Sequence, residues 1–244
     1  QTSGGLHGVG ASVVNALSSR LDVEVDRNGA TWAMSFRRGV PGFFEGDGPD
    51  AGFTAEHGLR KVGKVARGGT GTRVRYWPDR QIFLKDARLS MDHLLDRARQ
   101  TSFLVPGLEL VVTDERAAQP VVERFIHNGG ISEFAEYLAS DASVTDVIRI
   151  QGSESFVETV PVLDEHGSMT PADVERNLDI DIALRWGTGY ETIERSFVNI
   201  VATPKGGTHV TGFERGLLKA FLGGLEGTRL LKSGDEITKD DVLE

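Results

Sequence analysis

Val9, Val13, Ala16 and Leu17 recur at helical spacing over residues 8–19, and the period then drops to two. Leu21, Val23 and Val25 alternate with Asp22, Glu24 and Asp26, which predicts a strand with one apolar and one charged face. Asn28-Gly29 is a favoured two-residue hairpin turn, and the return strand sets Trp32, Met34 and Phe36 on one face. Residues 39–57, rich in Gly, Pro and acids, read as a loop with at most an edge strand. Residues 59–65 and 70–77 read as strands around Arg67-Gly68-Gly69. A helix over 90–104 turns Met91, Leu94, Leu95 and Ala98 inward, and 108–113 is a strand. Residues 114–120 interrupt the periodicity and suggest a boundary near 114–125. Gly129-Gly130 opens a helix with Ile131, Phe134, Ala135 and Leu138 aligned. Gly187-Thr188-Gly189 reads as a hairpin turn between two strands, with Ile180, Ile182, Leu184 and Trp186 facing one way. Gly206-Gly207-Thr208 opens a helix aligning Val210, Phe213, Leu217 and Phe221, and Thr238 caps a last helical start.

Composition narrows the class. The 244 residues suit one large domain or two ordinary ones, and 39% apolar with 26% charged residues suits a globular chain with a core. No run of about 18 apolar residues suggests a membrane span. Nothing at the start resembles a secretory signal, and the absence of cysteine fits a reducing cytoplasm. A net charge of −9 argues against a broad face that grips nucleic acid, although a local basic patch survives such an average.

The densest chemistry lies in Gln1-Thr2-Ser3-Gly4-Gly5-Leu6-His7-Gly8-Val9-Gly10, a glycine-rich loop running into the first helix. Glycines allow close backbone approach, and a helix start offers unpaired N–H groups and a positive dipole end, which together suit phosphate. Taken alone the string is equally a tight structural turn. It is neither a lysine-bearing phosphate loop nor a dinucleotide fingerprint. Its place at residue 1, with no element ahead of it, leads us to expect a chain that begins mid-domain.

Residues 3–18, Ser-Gly-Gly-Leu-His-Gly-Val-Gly-Ala-Ser-Val-Val-Asn-Ala-Leu-Ser, resemble the ATP-lid segment of the B subunits of bacterial type IIA topoisomerases. This family comprises DNA gyrase and topoisomerase IV, within the GHKL ATPase superfamily. Further resemblances follow in family order: residues 71–79, Phe103-Leu104 with Gly107, Gly129-Gly130-Ile131, and Gly206-Gly207-Thr208-His209 with Gly212-Phe213. The resemblance implies ATP binding by Gly5, Leu6, His7, Gly8, Val9, Gly10, Ala11 and Ser12 around the phosphates. It implies that Thr72 helps seat the adenine and that Arg27 lies at the pocket rim. His209 and Thr208 are expected to be structural, as a helix cap and its neighbour.

The resemblance also implies what this chain lacks. The family's general base, its Mg²⁺ ligand and its adenine-binding aspartate would lie upstream of Gln1, and a lysine reaching the γ-phosphate beyond Glu244. No catalytic residue and no metal ligand is therefore expected in the chain. The implied fold is α/β: the C-terminal part of a GHKL two-layer sandwich with a mostly antiparallel sheet over 1–120, then a ribosomal-S5-like transducer domain over 121–244. The implied partners are the topoisomerase A subunit in an A2B2 heterotetramer, a second B subunit on ATP binding, and double-stranded DNA, with no membrane, in a cytoplasmic and nucleoid-associated setting. Residues 205–210 and 216–220 look closer to the topoisomerase IV type, whereas Glu214 departs from a basic residue often found there. Another ATPase of the superfamily, such as a mismatch-repair protein, and a non-enzymatic nucleotide-binding or structural module are the rival readings.

Overall fold

The computed structural model describes residues 8–163, 167–228, 230 and 236–243. They form two compact units, one running to Leu89 and the other from Ser90 onward.

In the first unit a short helix α1 (Gly10–Ala16) leads into β1 (Ser18–Arg27), β2 (Ala30–Arg37), β3 (Val40–Glu45), β4 (Gly52–Ala55), β5 (Arg60–Lys64) and β6 (Gly71–Pro78). The strands make one antiparallel sheet in the order β4-β3-β2-β1-β6, with β5 also on β2. The helix is shorter than its periodicity suggested: it ends at Ala16, and Ser18 already belongs to the strand. Ser18 is buried and donates its hydroxyl to the Val14 carbonyl, and the Asp79 N–H bonds the Leu17 carbonyl, so the last turn is held from the sheet.

Asn28 and Gly29 have φ of 54° and 76°, as a primed hairpin turn requires. Arg38 and Gly39 repeat this at 47° and 83°, and the expected loop over 39–57 is instead the β3–β4 hairpin. What orders it is Arg20. Its guanidinium is buried, bonds both Asp22 oxygens at 2.9 Å, donates to the Gly46 and Gly48 carbonyls, and lies over the Phe44 and Trp77 rings.

The second unit begins with α2 (Met91–Leu104), capped by the Ser90 hydroxyl on the His93 N–H. Then follow β7 (Leu110–Asp114), β8 (Val121–Phe125), α3 (Ile131–Leu138), β9 (Ile148–Leu163), β10 (Met169–Leu184), β11 (Phe197–Val198), β12 (Val201–Ala202), α4 (Thr208–Leu225) and α5 (Asp240–Leu243). Residues 115–120 form the loop between the paired strands β7 and β8. Helix α2 buries Ala98, Ser102 and Phe103, whereas Leu94, expected inward, is exposed. Phe103 stacks on His127 and Phe134 at 3.6 and 4.8 Å, and Ser102 shares a 2.7 Å hydrogen bond with His127 Nδ1.

The hairpin expected at Gly187-Thr188-Gly189 is not there. Its strand, β10, pairs over all sixteen residues with the preceding β9. The glycines are instead held by Asp141, which accepts from Gly189 N–H at 2.6 Å and from Arg185 at 2.6 Å. Thr208 is the first residue of α4 and not its cap; the cap position is Gly207, with no side-chain bond. His209 bonds Thr203, a structural contact. Glu214 pairs with Lys239, and Trp186 Nε1 donates to the Val242 carbonyl, fixing α5 within this unit. Among the described residues every strand pair is antiparallel, and no helix is long and apolar enough to cross a membrane.

Candidate functional site

The register of β1 builds the floor of the site. Leu21, Val23 and Val25 lie opposite Phe36, Met34 and Trp32 on one side and Tyr76, Val74 and Thr72 on the other. Paired residues share a face, so these nine make one apolar sheet face with Thr72 at its margin. That face is open: Val74 is 56% and Tyr76 49% exposed. On the opposite face Arg73 bonds Glu24 at 2.8 Å and reaches Asp26, so the charges are matched locally. Arg27 continues the alternation of Val23 and Val25, opposite Ala30. The sheet thus brings Thr72 and Arg27 to one end of one face, and both are exposed.

Helix α1 enters β1 at its other end. Gly8 has φ +65°, a conformation L side chains rarely adopt. Gly10 opens the helix behind Val9, which makes no side-chain cap, and the first turn carries no acid. Among the described residues the N–H groups of this turn therefore lack the usual side-chain partner. A Cβ placed at Gly8 or Gly10 would meet no atom of the described residues within 4 Å. Packing among the described residues does not require the missing side chain at Gly10. Ala11 and Ser12 complete the turn and are exposed. Gly5, Leu6 and His7 lie outside the described residues. No hydrogen bond among the described residues joins α1 to Thr72 or Arg27.

Two features escaped the sequence reading. Asn15 on α1 has a buried Oδ1 without a hydrogen-bond partner among the described residues. A buried amide oxygen in this state requires a donor from outside them. Its signal was invisible because Asn15 sits between apolar positions of a helix. The second is Asp79, which receives Arg38 Nε at 2.6 Å and the Gln81 N–H at 2.9 Å while its own N–H holds the end of α1. The Arg38 hydrogen bond, then the Gln81 N–H, hold its carboxyl below the usual range. Asp79 thus ties the β2–β3 turn to the helix that carries the glycines.

Among the described residues no three His, Cys, Asp or Glu side chains gather as a metal site would require. The described residues do not form a Mg²⁺ site. Two cavities, of about 250 Å³ beside Arg185 and about 160 Å³ between Met91 and Val121, lie in the second unit and contain none of the expected site residues.

Residues 130–244 match the family described as DNA gyrase B. The chain is 35% identical over 99% of its length to the type 2 topoisomerase B subunit of Aquifex aeolicus, covering 26% of that protein. It is 34% identical over 97% of its length to the DNA topoisomerase 4 B subunit of Enterococcus faecalis, covering 29% of it. It thus spans between a quarter and a third of these relatives. Among solved structures, the 43K ATPase domain of Thermus thermophilus gyrase B, in complex with an aminocoumarin, is similar with a TM-score of 0.68 and 30% identity. That match covers 97% of this chain and 55% of that one.

Proposed function

We propose that the chain belongs to the B-subunit family of the bacterial type II topoisomerases and forms part of the ATP-operated gate of such an enzyme. The observation that carries this reading is the helix start at Gly8–Gly10: no side-chain cap and a glycine whose missing side chain no contact among the described residues explains. In this reading the backbone of Gly5, Leu6, His7, Gly8, Val9, Gly10, Ala11 and Ser12 holds the ATP phosphates, since aligned N–H groups and the helix dipole favour negative charge. Thr72 seats the base at the margin of the apolar face, and Arg27 guards the rim beside it. Residues 1–120 are the ATPase part and 121–244 the transducer.

ATP contacts made only in the closed state would favour closure, pairing two B subunits around a duplex, and hydrolysis would release them. Cleavage would belong to a partner A subunit in an A2B2 assembly, working in the cytoplasm on nucleoid DNA. The relatives favour this reading over a mismatch-repair ATPase or a non-enzymatic module.

The test is ATP turnover by the whole B subunit, with and without the A subunit and supercoiled DNA, for the native sequence and Gly10→Val. We expect DNA-stimulated turnover that falls about 100-fold in the variant, the scale of losing preorganised backbone donors, with an unchanged melting temperature. Undiminished turnover in a folded variant would sink the phosphate cradle.

A further inference from the structure

The net charge of −9 hides a sharp partition. Up to Leu89 the chain carries 13 Lys and Arg against 9 Asp and Glu, and beyond it 14 against 27. The positive excess has a location. Strand β5 and the turn after it hold Arg60, Lys61, Lys64 and Arg67 within eight residues. Lys61 lies opposite Trp32 and Lys64 opposite Ala30, with a register shift between Thr31 and Trp32 that leaves Val62 as the extra residue. The bulge turns two lysines three positions apart onto the same face, where regular alternation would part them. Arg27 lies across Ala30 from Lys64, so Arg27, Ala30 and Lys64 form one row over three strands.

Arg27, Lys61, Lys64 and Arg67 are exposed, and none has a carboxylate partner among the described residues. The neighbouring acids are already engaged: Glu56 with Arg60, Glu24 and Asp26 with Arg73. Lysines on an edge strand also discourage strand pairing. That role needs charge anywhere on the strand. It does not account for the bulge that gathers the lysines on one face.

We propose that this basic edge binds duplex DNA through its phosphate backbone. The four cations are spread along the edge: Lys61 and Lys64, opposite Trp32 and Ala30, stand about 7 Å apart, and Arg27 two strand spacings, about 10 Å, from Lys64. A single triphosphate needs convergent donors, whereas a duplex offers a negative charge every ~1.7 Å of its axis. The assignment rests on the topoisomerase reading above and adds to it a place where the duplex is held.

The experiment is the salt dependence of the affinity of the whole B subunit for a fluorescent 20-bp duplex, for the native sequence and for K61Q/K64Q/R67Q. Each lost phosphate contact lowers the slope of log K against log salt by about 1, so the triple variant should lose about 3. The charge-keeping variant K61R/K64R/R67K should retain the native slope, which separates charge from folding. None of these residues belongs to the proposed nucleotide site, so ATP turnover without DNA should be unchanged in both variants. An unaltered slope in the glutamine variant overturns the proposal. So does an unaltered slope with a raised KM for ATP, which would give the cations to the nucleotide. Failure of the ATPase reading shows separately, as a native protein without turnover.

Discussion

Two glycine-led helices, α1 in the first unit and α3 in the second, meet opposite fates. Before α3, Gly130 has φ 64°, a Cβ on it would come within 3.0 Å of Pro106, and the Gly129 N–H is taken by the Glu133 carboxylate at 3.0 Å. Phe134, one turn on, is buried against Phe103. Neither first turn has a side-chain cap, but before α1 a Cβ on Gly8 or Gly10 would meet no described atom within 4 Å, and the helix buries none of the described residues. Glycine serves packing in the first case and openness in the second. A helix start whose glycines are crowded by neighbouring side chains is a joint; one whose glycines are uncrowded leaves its backbone N–H groups approachable by a ligand.

Several experiments bear on this contrast. Phe103→Ala should have the largest effect, destabilising by about 3–5 kcal/mol in urea unfolding, because a ring 1% exposed leaves a cavity. Val13→Ala on α1 should change stability by less than about 0.5 kcal/mol, since Val13 is 49% exposed. An equal loss at both positions would dissolve the distinction. Gly130→Ala should come next, at about 2 kcal/mol, from a positive φ and a proline that must move. Gly10→Ala should leave the melting temperature unchanged while lowering ATP turnover of the whole protein; a fall in stability like that of Gly130→Ala would make α1 a joint as well.

The smallest effect is on the acid limb. Arg116 holds Asp114 at about 2 against an ordinary 3.8. A depressed folded-state value stabilises above the ordinary range and loses that contribution as pH falls from about 4 through about 2. Asp114→Asn should therefore narrow the gap between urea midpoints measured at pH 5 and pH 2.5, and an unchanged gap would remove the pair from the acid response.

Local chemistry was legible where neighbours in sequence are neighbours in space. Asn28-Gly29 takes positive φ at both positions as its residue types demand, and the Leu21–Val25 alternation gives one apolar face. It failed where a distant side chain decides. Residues 40–55 are strands because Arg20, far upstream, bonds the carbonyls of their turn. Gly187–Gly189 looked like a hairpin because glycines mark turns, yet Asp141 claims them and β10 finds its partner upstream.

Periodicity and turn residues were thus enough for the strands around Asn28-Gly29, for the helices behind Gly130 and Gly207, and for the family resemblance of the glycine string. They act through contacts within a few residues, which a linear pattern records. Only the folded chain decided which glycines are crowded and which are not, that β10 pairs with the preceding β9, and which end of the sheet gathers Thr72, Arg27 and the lysines of β5. Those outcomes depend on register and on a single bulged residue, and a shift of one position sends a side chain to the other face.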